Sequence, residues 1–279
     1  MITPFVSLAC PLDNAPLRSN GHAWVCPSGH SFDIASQGYT HLLPVQNKRS
    51  RDPGDSKEMV AARRRFLGAG FYTPIADAAS RLALADMPPE GIACLDAGCG
   101  DGYYMRRLAA AAGPDGRLAL LGLDISKWAV LAAAKQEKRA NWVVGSNACL
   151  PVQTGSLDRL LCMFGFPVHA EFHRVLKPRG RLLLVDTGPD HLRELREIIY
   201  PTVKPDRAAD VVAPAGFTPL SDDTLTYSIA LAEAHQIADL LTMTPHLYRA
   251  SAEGRAKAAA LTRLALTVDV RLRSYEATG

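Results

Sequence analysis

The chain has 279 residues, of which 48% are hydrophobic and 21% charged, and its formal net charge is +3. This length allows one large core with an appended module, and the composition is ordinary for a globular protein. We expect neither a membrane span nor a secretory signal, because no apolar run is long enough and no basic segment precedes the apolar N-terminus. A cytoplasmic location is therefore expected. Residues 1–70 carry eight Lys and Arg against five Asp and Glu, so this quarter of the chain is a candidate for contact with phosphates, although charge alone favours an ordinary solvated surface.

Two short groups of metal-binding residue types lie near the N-terminus. Cys10 and Asp13 come first, and Cys26 and His30 follow after a polar, turn-forming segment that buries too little apolar surface to fold alone. Such spacing is typical of a structural zinc site with these four residues as candidate ligands. Asp13 stands where a zinc ribbon has a second Cys, and His22 is another potential ligand. Three states remain open: an intact zinc site, a weakened one, and one that has lost its metal but kept its fold.

A basic, turn-rich connector leads from this module to the rest of the chain, between Gln46 and Ser56. Ser56 is a candidate N-cap for a helix from Lys57 to about Gly68. The helical period places apolar residues on one face and leaves three arginines largely exposed. The apolar residues are Met59, Ala62 and Phe66, and the arginines are Arg63, Arg64 and Arg65.

A glycine-rich loop follows the strand predicted over 92–96 and precedes a helix predicted over 103–112. Glycine permits positive φ and lets a ligand approach the backbone at a helix N-terminus. Tyr103 occupies the third glycine position of a dinucleotide fingerprint, and the acidic residues favour a ligand with amino and hydroxyl donors over a pyrophosphate. The loop resembles motif I of class I S-adenosylmethionine (SAM) methyltransferases; a turn that only reverses the chain is the alternative. The candidate SAM-binding residues here are Asp96, Gly98, Cys99, Gly100 and Asp101.

Strands and helices alternate beyond the loop. Asp124 ends a strand about twenty residues further on, where an acidic residue binds ribose hydroxyls, although it could also cap the next helix, a role that suits Ser126 better. Ser146 and Asn147 end the following strand, where the methyltransferases that the loop resembles read the adenine edge. The remaining strands are predicted over 118–124, 142–145, 156–164, 181–186, 224–231 and 265–275. Helices are predicted over 75–84, 128–139, 171–176 and 234–241. A further helix is predicted to begin within 188–192, and a loop is predicted over 207–219.

The nearly continuous apolar strands indicate a parallel sheet buried on both faces. An additional antiparallel strand at the C-terminus is the addition that class I methyltransferases make to a Rossmann-like sheet. We therefore predict an α/β fold with a seven-stranded mixed sheet and a small zinc-ribbon-like N-terminal module. The expected domains are a module over 1–44, a basic linker and helix over 45–70, and a SAM-dependent methyltransferase domain over 71–279. After the fourth strand, Phe164 or Phe166 could stack on a flipped guanine, or the loop could simply cover the cofactor.

Longer motifs make the resemblance more specific. Cys-Pro-x-x-His-x-Phe-Asp-x-Ala over 26–35, Gly-Tyr-x-x-Leu-Leu-Pro-Val-Gln over 38–46 and Lys-Arg-Ser-Arg-Asp-Pro-Gly-Asp-Ser over 48–56 resemble the 23S ribosomal RNA guanine-N1 methyltransferases of the RlmA type. The resemblance implies methyl transfer from SAM to guanine N1 in 23S rRNA, and SAM contacts by Tyr72 and His191. It also implies zinc bound by three Cys and one His, of which this chain matches three.

Other functions compete with that interpretation. A SAM methyltransferase acting on a small molecule would have the same core, and a non-catalytic RNA-binding module would have lost SAM. The apparently intact Asp96, Gly98, Gly100 and Asp124 weigh against the second. The sequence pattern does not identify the base that takes the guanine N1 proton. A homodimer is a further possibility that the sequence does not decide.

Overall fold

The computed structural model describes residues 1–47, 50, 52–202 and 212–279. Its strands, numbered in chain order, are β1 (Ile2–Thr3), β2 (Arg18–Ser19), β3 (Ala23–Val25), β4 (Ser31–Asp33), β5 (Tyr39–His41), β6 (Ile92–Ala97), β7 (Leu118–Asp124), β8 (Asn141–Val144), β9 (Leu157–Met163), β10 (Leu176–Thr187), β11 (Phe217–Leu231) and β12 (Leu264–Ala277). Its helices are α1 (Lys57–Gly68), α2 (Thr73–Leu84), α3 (Tyr103–Ala111), α4 (Lys127–Gln136), α5 (His169–Val175), α6 (Arg193–Ile199), α7 (Ala234–Thr242), α8 (His246–Arg249) and α9 (Ala252–Ala259). Within these ranges, every helix is too short or too polar to cross a bilayer.

One large mixed sheet organises the fold. Its strands lie in the order β11-β12-β10-β9-β6-β7-β8-β5, and β1 pairs in parallel with the start of β7. Strands β6 to β10 run parallel to one another, and β12 lies antiparallel between β10 and β11. The predicted class I methyltransferase fold, with its mixed sheet and antiparallel C-terminal strand, is confirmed. Two short strands from the first 41 residues extend that sheet, which the sequence pattern did not predict.

Different elements pack on the two faces of the sheet. Most helices pack on one face, whereas α5 and the N-terminal segment pack on the other. The small sheet β2-β3-β4 carries Trp24, which is buried in the same apolar cluster as Leu95 and Leu121 from the centre of the large sheet. The residues around the predicted zinc site therefore cover a face of the methyltransferase sheet directly, and the apolar side chains under them stabilise both parts.

Helix α1 begins and ends where the sequence predicts. The Oγ atom of Ser56 accepts a hydrogen bond from the Met59 N–H at 3.2 Å, as expected of an N-cap. The exposure predicted for Arg63 is wrong, because its side chain is only 27% exposed and pairs with Asp55. The ion pair and a hydrogen bond to the Met243 carbonyl draw the guanidinium inward.

The predicted boundaries hold less well towards the C-terminus. Phe217 already belongs to β11, where it pairs with Ala277, so the predicted loop over 207–219 is wrong for its last three residues. Residues 207–211 of that loop lie outside the described residues. Helix α6 begins at Arg193 rather than within 188–192, because Leu192 has a φ of 54° and donates its N–H to Thr267. Long-range pairing with β12 fixes both boundaries.

Candidate functional site

The glycine loop joins the end of β6 to the start of α3 at the carboxyl edge of the parallel strands. Gly98, Gly100 and Gly102 have φ values of 92°, 55° and 78°. A Cβ atom on Gly102 would lie 2.5 Å from the Trp142 ring, so this glycine is required for packing. A Cβ on Gly98 would meet nothing within 4 Å, and one on Gly100 would meet only the Arg63 side chain, at 3.8 Å. The loop therefore leaves open space beside its backbone, where a ligand can approach.

Asp96 enters this loop as a buried carboxylate. It is 1% exposed, and neither carboxylate oxygen has a hydrogen-bond partner among the described residues. Burial, with a smaller contribution from the charge of Asp124, raises its pKa to about 7. An unpartnered buried carboxylate is costly, and a cationic ligand such as the ammonium of SAM would offset that cost.

We expect this carboxylate to make SAM binding depend on pH. We expect SAM affinity to rise about tenfold between about pH 5.5 and about pH 7, because only ionised Asp96 pairs with the ligand's ammonium. The α-amino group itself remains protonated over this range, since its ordinary pKa is about 7.7–8.0. Titration calorimetry at each pH measures the effect, and the Asp96→Asn variant should lose the slope. Equal slopes in the two proteins would contradict the assignment.

Asp124 ends β7 next to the loop. Its Oδ2 atom accepts a hydrogen bond from the Gly100 N–H at 3.0 Å, and its Oδ1 atom accepts one from the Ser126 N–H at 2.7 Å. Burial raises its pKa, and the two backbone donors oppose that shift. Ser126, rather than Asp124, is the N-cap of α4, since its Oγ atom accepts a hydrogen bond from the Ala129 N–H. The Asp124 carboxylate thus ties the loop to the β7 end, and its remaining lone pairs can accept hydrogen bonds from ribose hydroxyls.

Tyr72 and His191 come together although 119 residues separate them. The Tyr72 hydroxyl lies 3.2 Å from His191 Nε2, and His191 Nδ1 accepts a hydrogen bond from the Asp269 N–H at 3.3 Å. Burial lowers the pKa of His191 to about 4, so the ring is neutral near pH 7. Since Nδ1 accepts, Nε2 carries the proton and donates it to the Tyr72 oxygen. The Tyr72 hydroxyl hydrogen is then available to another acceptor.

Aromatic side chains surround this pair. The Phe164 ring centroid lies 6.1 Å from those of Tyr72 and His191, and 6.5 Å from that of Tyr104. Phe164 has a φ of 54°, which is uncommon for a bulky residue and marks the point where the chain leaves β9. Phe166, two residues later, is 88% exposed. The two candidate stacking residues thus divide, with Phe164 in the aromatic cluster and Phe166 at the surface.

The other candidate residues for SAM have neighbours that the sequence did not reveal. The Asp101 carboxylate is bound by Arg106 and Gln136, both on helices. The Asn147 amide donates to the Phe166 carbonyl at 3.1 Å and so holds the loop that follows β9. The Cys99 thiol is buried, and the Ser146 hydroxyl accepts a hydrogen bond from the Ala148 N–H within its own turn.

The four predicted metal ligands form one cluster. Their ligand atoms all lie within 4.8 Å of one another, with Cys10 and Cys26 buried and Asp13 exposed. The Nδ1 atom of His30 lies 3.5 Å from Cys10 Sγ, 3.4 Å from Cys26 Sγ and 3.2 Å from Asp13 Oδ2, and the Cys26 Sγ to Asp13 Oδ2 distance is 3.6 Å. Tetrahedral zinc with ligand bonds of about 2.0–2.3 Å separates its ligands by about 3.3–3.8 Å. The donor set and its spacing therefore fit zinc.

Comparisons with known proteins match both parts of the chain. A family model described as the N-terminal region of RlmA matches residues 8–51, and one described as a methyltransferase domain matches residues 94–180. A Micromonospora griseorubida protein, provisionally named a 23S rRNA (guanine-N(1)-)-methyltransferase, is 34% identical over 96% of this chain and 96% of its own length. A Streptomyces fradiae protein named 23S rRNA (guanine(748)-N(1))-methyltransferase is 38% identical over 67% of this chain and 66% of its own length.

Proposed function

We propose that this chain, which belongs to the 23S rRNA guanine-N1 methyltransferases of the RlmA type, transfers the methyl group of SAM to N1 of a guanine in 23S rRNA. The observation that carries the proposal is that one sheet holds both the candidate SAM site and the candidate zinc site. The unpartnered Asp96 faces an open glycine loop on one side, and a zinc-ribbon-like cluster covers the opposite face. The cytoplasm is the proposed place of action.

SAM supplies an electrophilic methyl group when it is bound. Asp96 would pair with its ammonium, Asp124 would accept hydrogen bonds from its ribose, and Gly98 and Gly100 would let it lie against the backbone. The hydrogen bonds of the Tyr72–His191 pair argue against His191 as the base for the guanine N1 proton, because Nδ1 accepts one from Asp269 and the neutral ring then carries its hydrogen on Nε2. Its role is to orient the Tyr72 hydroxyl.

Zinc is proposed as a structural metal held by Cys10, Asp13, Cys26 and His30. The cluster lies away from the glycine loop and on the other face of the sheet, so we do not propose a catalytic role for the metal. Asp13 completes the ligand set in place of the third Cys of the family, and a carboxylate oxygen is a known zinc ligand. A homodimer stays a prediction, which sedimentation of the purified protein would test.

Phe166 is proposed as the residue that stacks on the target base. We expect Phe166→Ala to lower kcat/KM for 23S rRNA by about 10- to 100-fold, because stacking of one base is worth about 1–3 kcal/mol. SAM affinity should stay unchanged, since the Asn147 amide holds the backbone carbonyl rather than the ring. Phe166→Trp is the matched control and should keep activity. An alanine variant as active as the wild-type protein would assign the loop to covering the cofactor.

The substrate is tested by mass mapping of 23S rRNA from cells with and without this protein. In a second experiment, purified 23S rRNA is incubated with the protein and SAM and then mapped in the same way. We expect one guanine to gain a methyl group at N1. An unchanged map, together with measurable SAM binding, would support a small-molecule acceptor instead. The N-terminal quarter should be changed by point variants rather than deleted, because its side chains form part of the sheet's core.

A further inference from the structure

The connector before α1 is bound to the turn that carries Asp124. The Ser126 hydroxyl donates to the Asp55 carbonyl at 2.6 Å, and the Trp128 indole N–H donates to the Asp52 carboxylate at 2.8 Å. A Cβ atom on Gly54 would lie 3.0 Å from the Ser126 backbone nitrogen, so the two segments touch along their backbones. Residues 52–55 of the connector therefore pack against the turn that follows Asp124.

Arg63 extends from α1 over the glycine loop. Asp55 pairs with its guanidinium, and the Met243 carbonyl accepts a hydrogen bond from it at 2.9 Å. Its Cδ and one terminal nitrogen lie 3.8 Å from the position that a Gly100 Cβ would occupy. Its charge also acts to lower the pKa of Asp124 and Tyr72, against the larger effect of burial. The guanidinium thus lies beside the residues assigned to SAM.

The charged groups of SAM indicate which of them the Arg63 guanidinium could bind. The methionine part carries an ammonium, a sulfonium and a carboxylate, and the acidic residues of the site match only the two cations. Arg63 and Arg106 each pair with one carboxylate and one carbonyl, but of the two only Arg63 lies within 4 Å of the position that a Cβ atom on Gly100 would occupy. An arginine fork binds a carboxylate through two parallel hydrogen bonds and keeps other donors for its holding contacts.

We propose that Arg63 binds the carboxylate of SAM's methionine part and that Asp55 holds the guanidinium in position. Arg63 is then a residue that selects the intact amino-acid end of the cofactor. This inference rests on the proposed use of SAM.

The test compares two ligands in two proteins by titration calorimetry. SAM is compared with decarboxylated SAM, which keeps the sulfonium, amine and ribose but lacks the carboxylate. The wild-type protein should prefer SAM by about 10- to 100-fold, the range of a charge-assisted contact. Arg63→Met should lose that preference while binding decarboxylated SAM about as well as the wild-type protein does. Arg64→Met, which changes an exposed neighbour on the same helix, should keep it.

Other results would overturn the inference. If Arg63→Met weakens both ligands equally, Arg63 only holds the connector and does not contact the carboxylate. Arg63→Lys guards against a folding defect, because it keeps the charge and should retain part of the preference. If the wild-type protein binds neither ligand, the proposed function itself fails. If it prefers SAM and Arg63→Met keeps the same preference, only the inference about Arg63 fails.

Discussion

Cys26→Ala is expected to leave the protein without bound zinc and to lower its free energy of unfolding by about 3 kcal/mol or more. The change removes a buried thiol that we propose as a zinc ligand, and metal binding at structural sites of this kind is part of the folding free energy. The loss should spread beyond the module, because Trp24 from the same region is packed on the central sheet. Elemental analysis and thermal unfolding measure the two effects.

Two further variants make this prediction specific. Cys149→Ala, at an exposed thiol outside the cluster, should change neither metal content nor stability. Asp13→Cys should hold zinc more strongly against a chelator, because thiolates dominate structural zinc sites. A wild-type protein that contains no zinc and unfolds identically with and without a chelator would show that the site has lost its metal and kept its fold.

Asp124→Ala is expected to weaken SAM binding by more than about 100-fold. Each hydrogen bond to a charged group contributes about 1.5–3 kcal/mol, and the ribose hydroxyls would lose two of them. The variant also leaves the N–H groups of Gly100 and Ser126 without their acceptor, which loosens the loop. Calorimetry measures the affinity directly.

The controls for this variant separate binding from folding. Asp124→Asn keeps an acceptor of the same shape and should weaken binding less than Ala does. Asp115→Ala changes an exposed carboxylate on the loop before β7 and should have no effect. Unchanged SAM affinity in Asp124→Ala would remove this residue from the cofactor site and leave it only the hydrogen bonds to its neighbours.

Local signals in the sequence were enough for most of the fold. Strand β7 and helix α1 have the predicted bounds, because an apolar run ends at Asp124 and a good N-cap begins α1 at Ser56. The family and the class I methyltransferase fold also followed from the motifs, and the comparisons confirm both. Periodicity and capping act within a few residues, so a single sequence displays them.

The rest depended on contacts between distant residues. Strands β1 and β5 have two and three residues, too few for a period to show. Arg63 was predicted to be exposed, since nothing near it in sequence indicates that Met243 would accept its hydrogen bond. The hydrogen bond from Asn147 to the Phe166 carbonyl likewise joins two loops, and neither residue has a local pattern that announces the partner.

The N-terminal strands are synthesised well before the strands with which they pair. Ile2–Thr3 pair with Leu118–Ala119, and Tyr39–His41 pair with Trp142–Val144. These strands leave the ribosome about 100 residues before their partners, a delay of about 5–20 s at ordinary translation rates. During that interval a zinc ion bound by the residues between Cys10 and His30, as we propose, would close a short local loop that needs no later residue. The nascent chain can thus keep its first segment compact and shielded from mispairing until the sheet that receives it has been made.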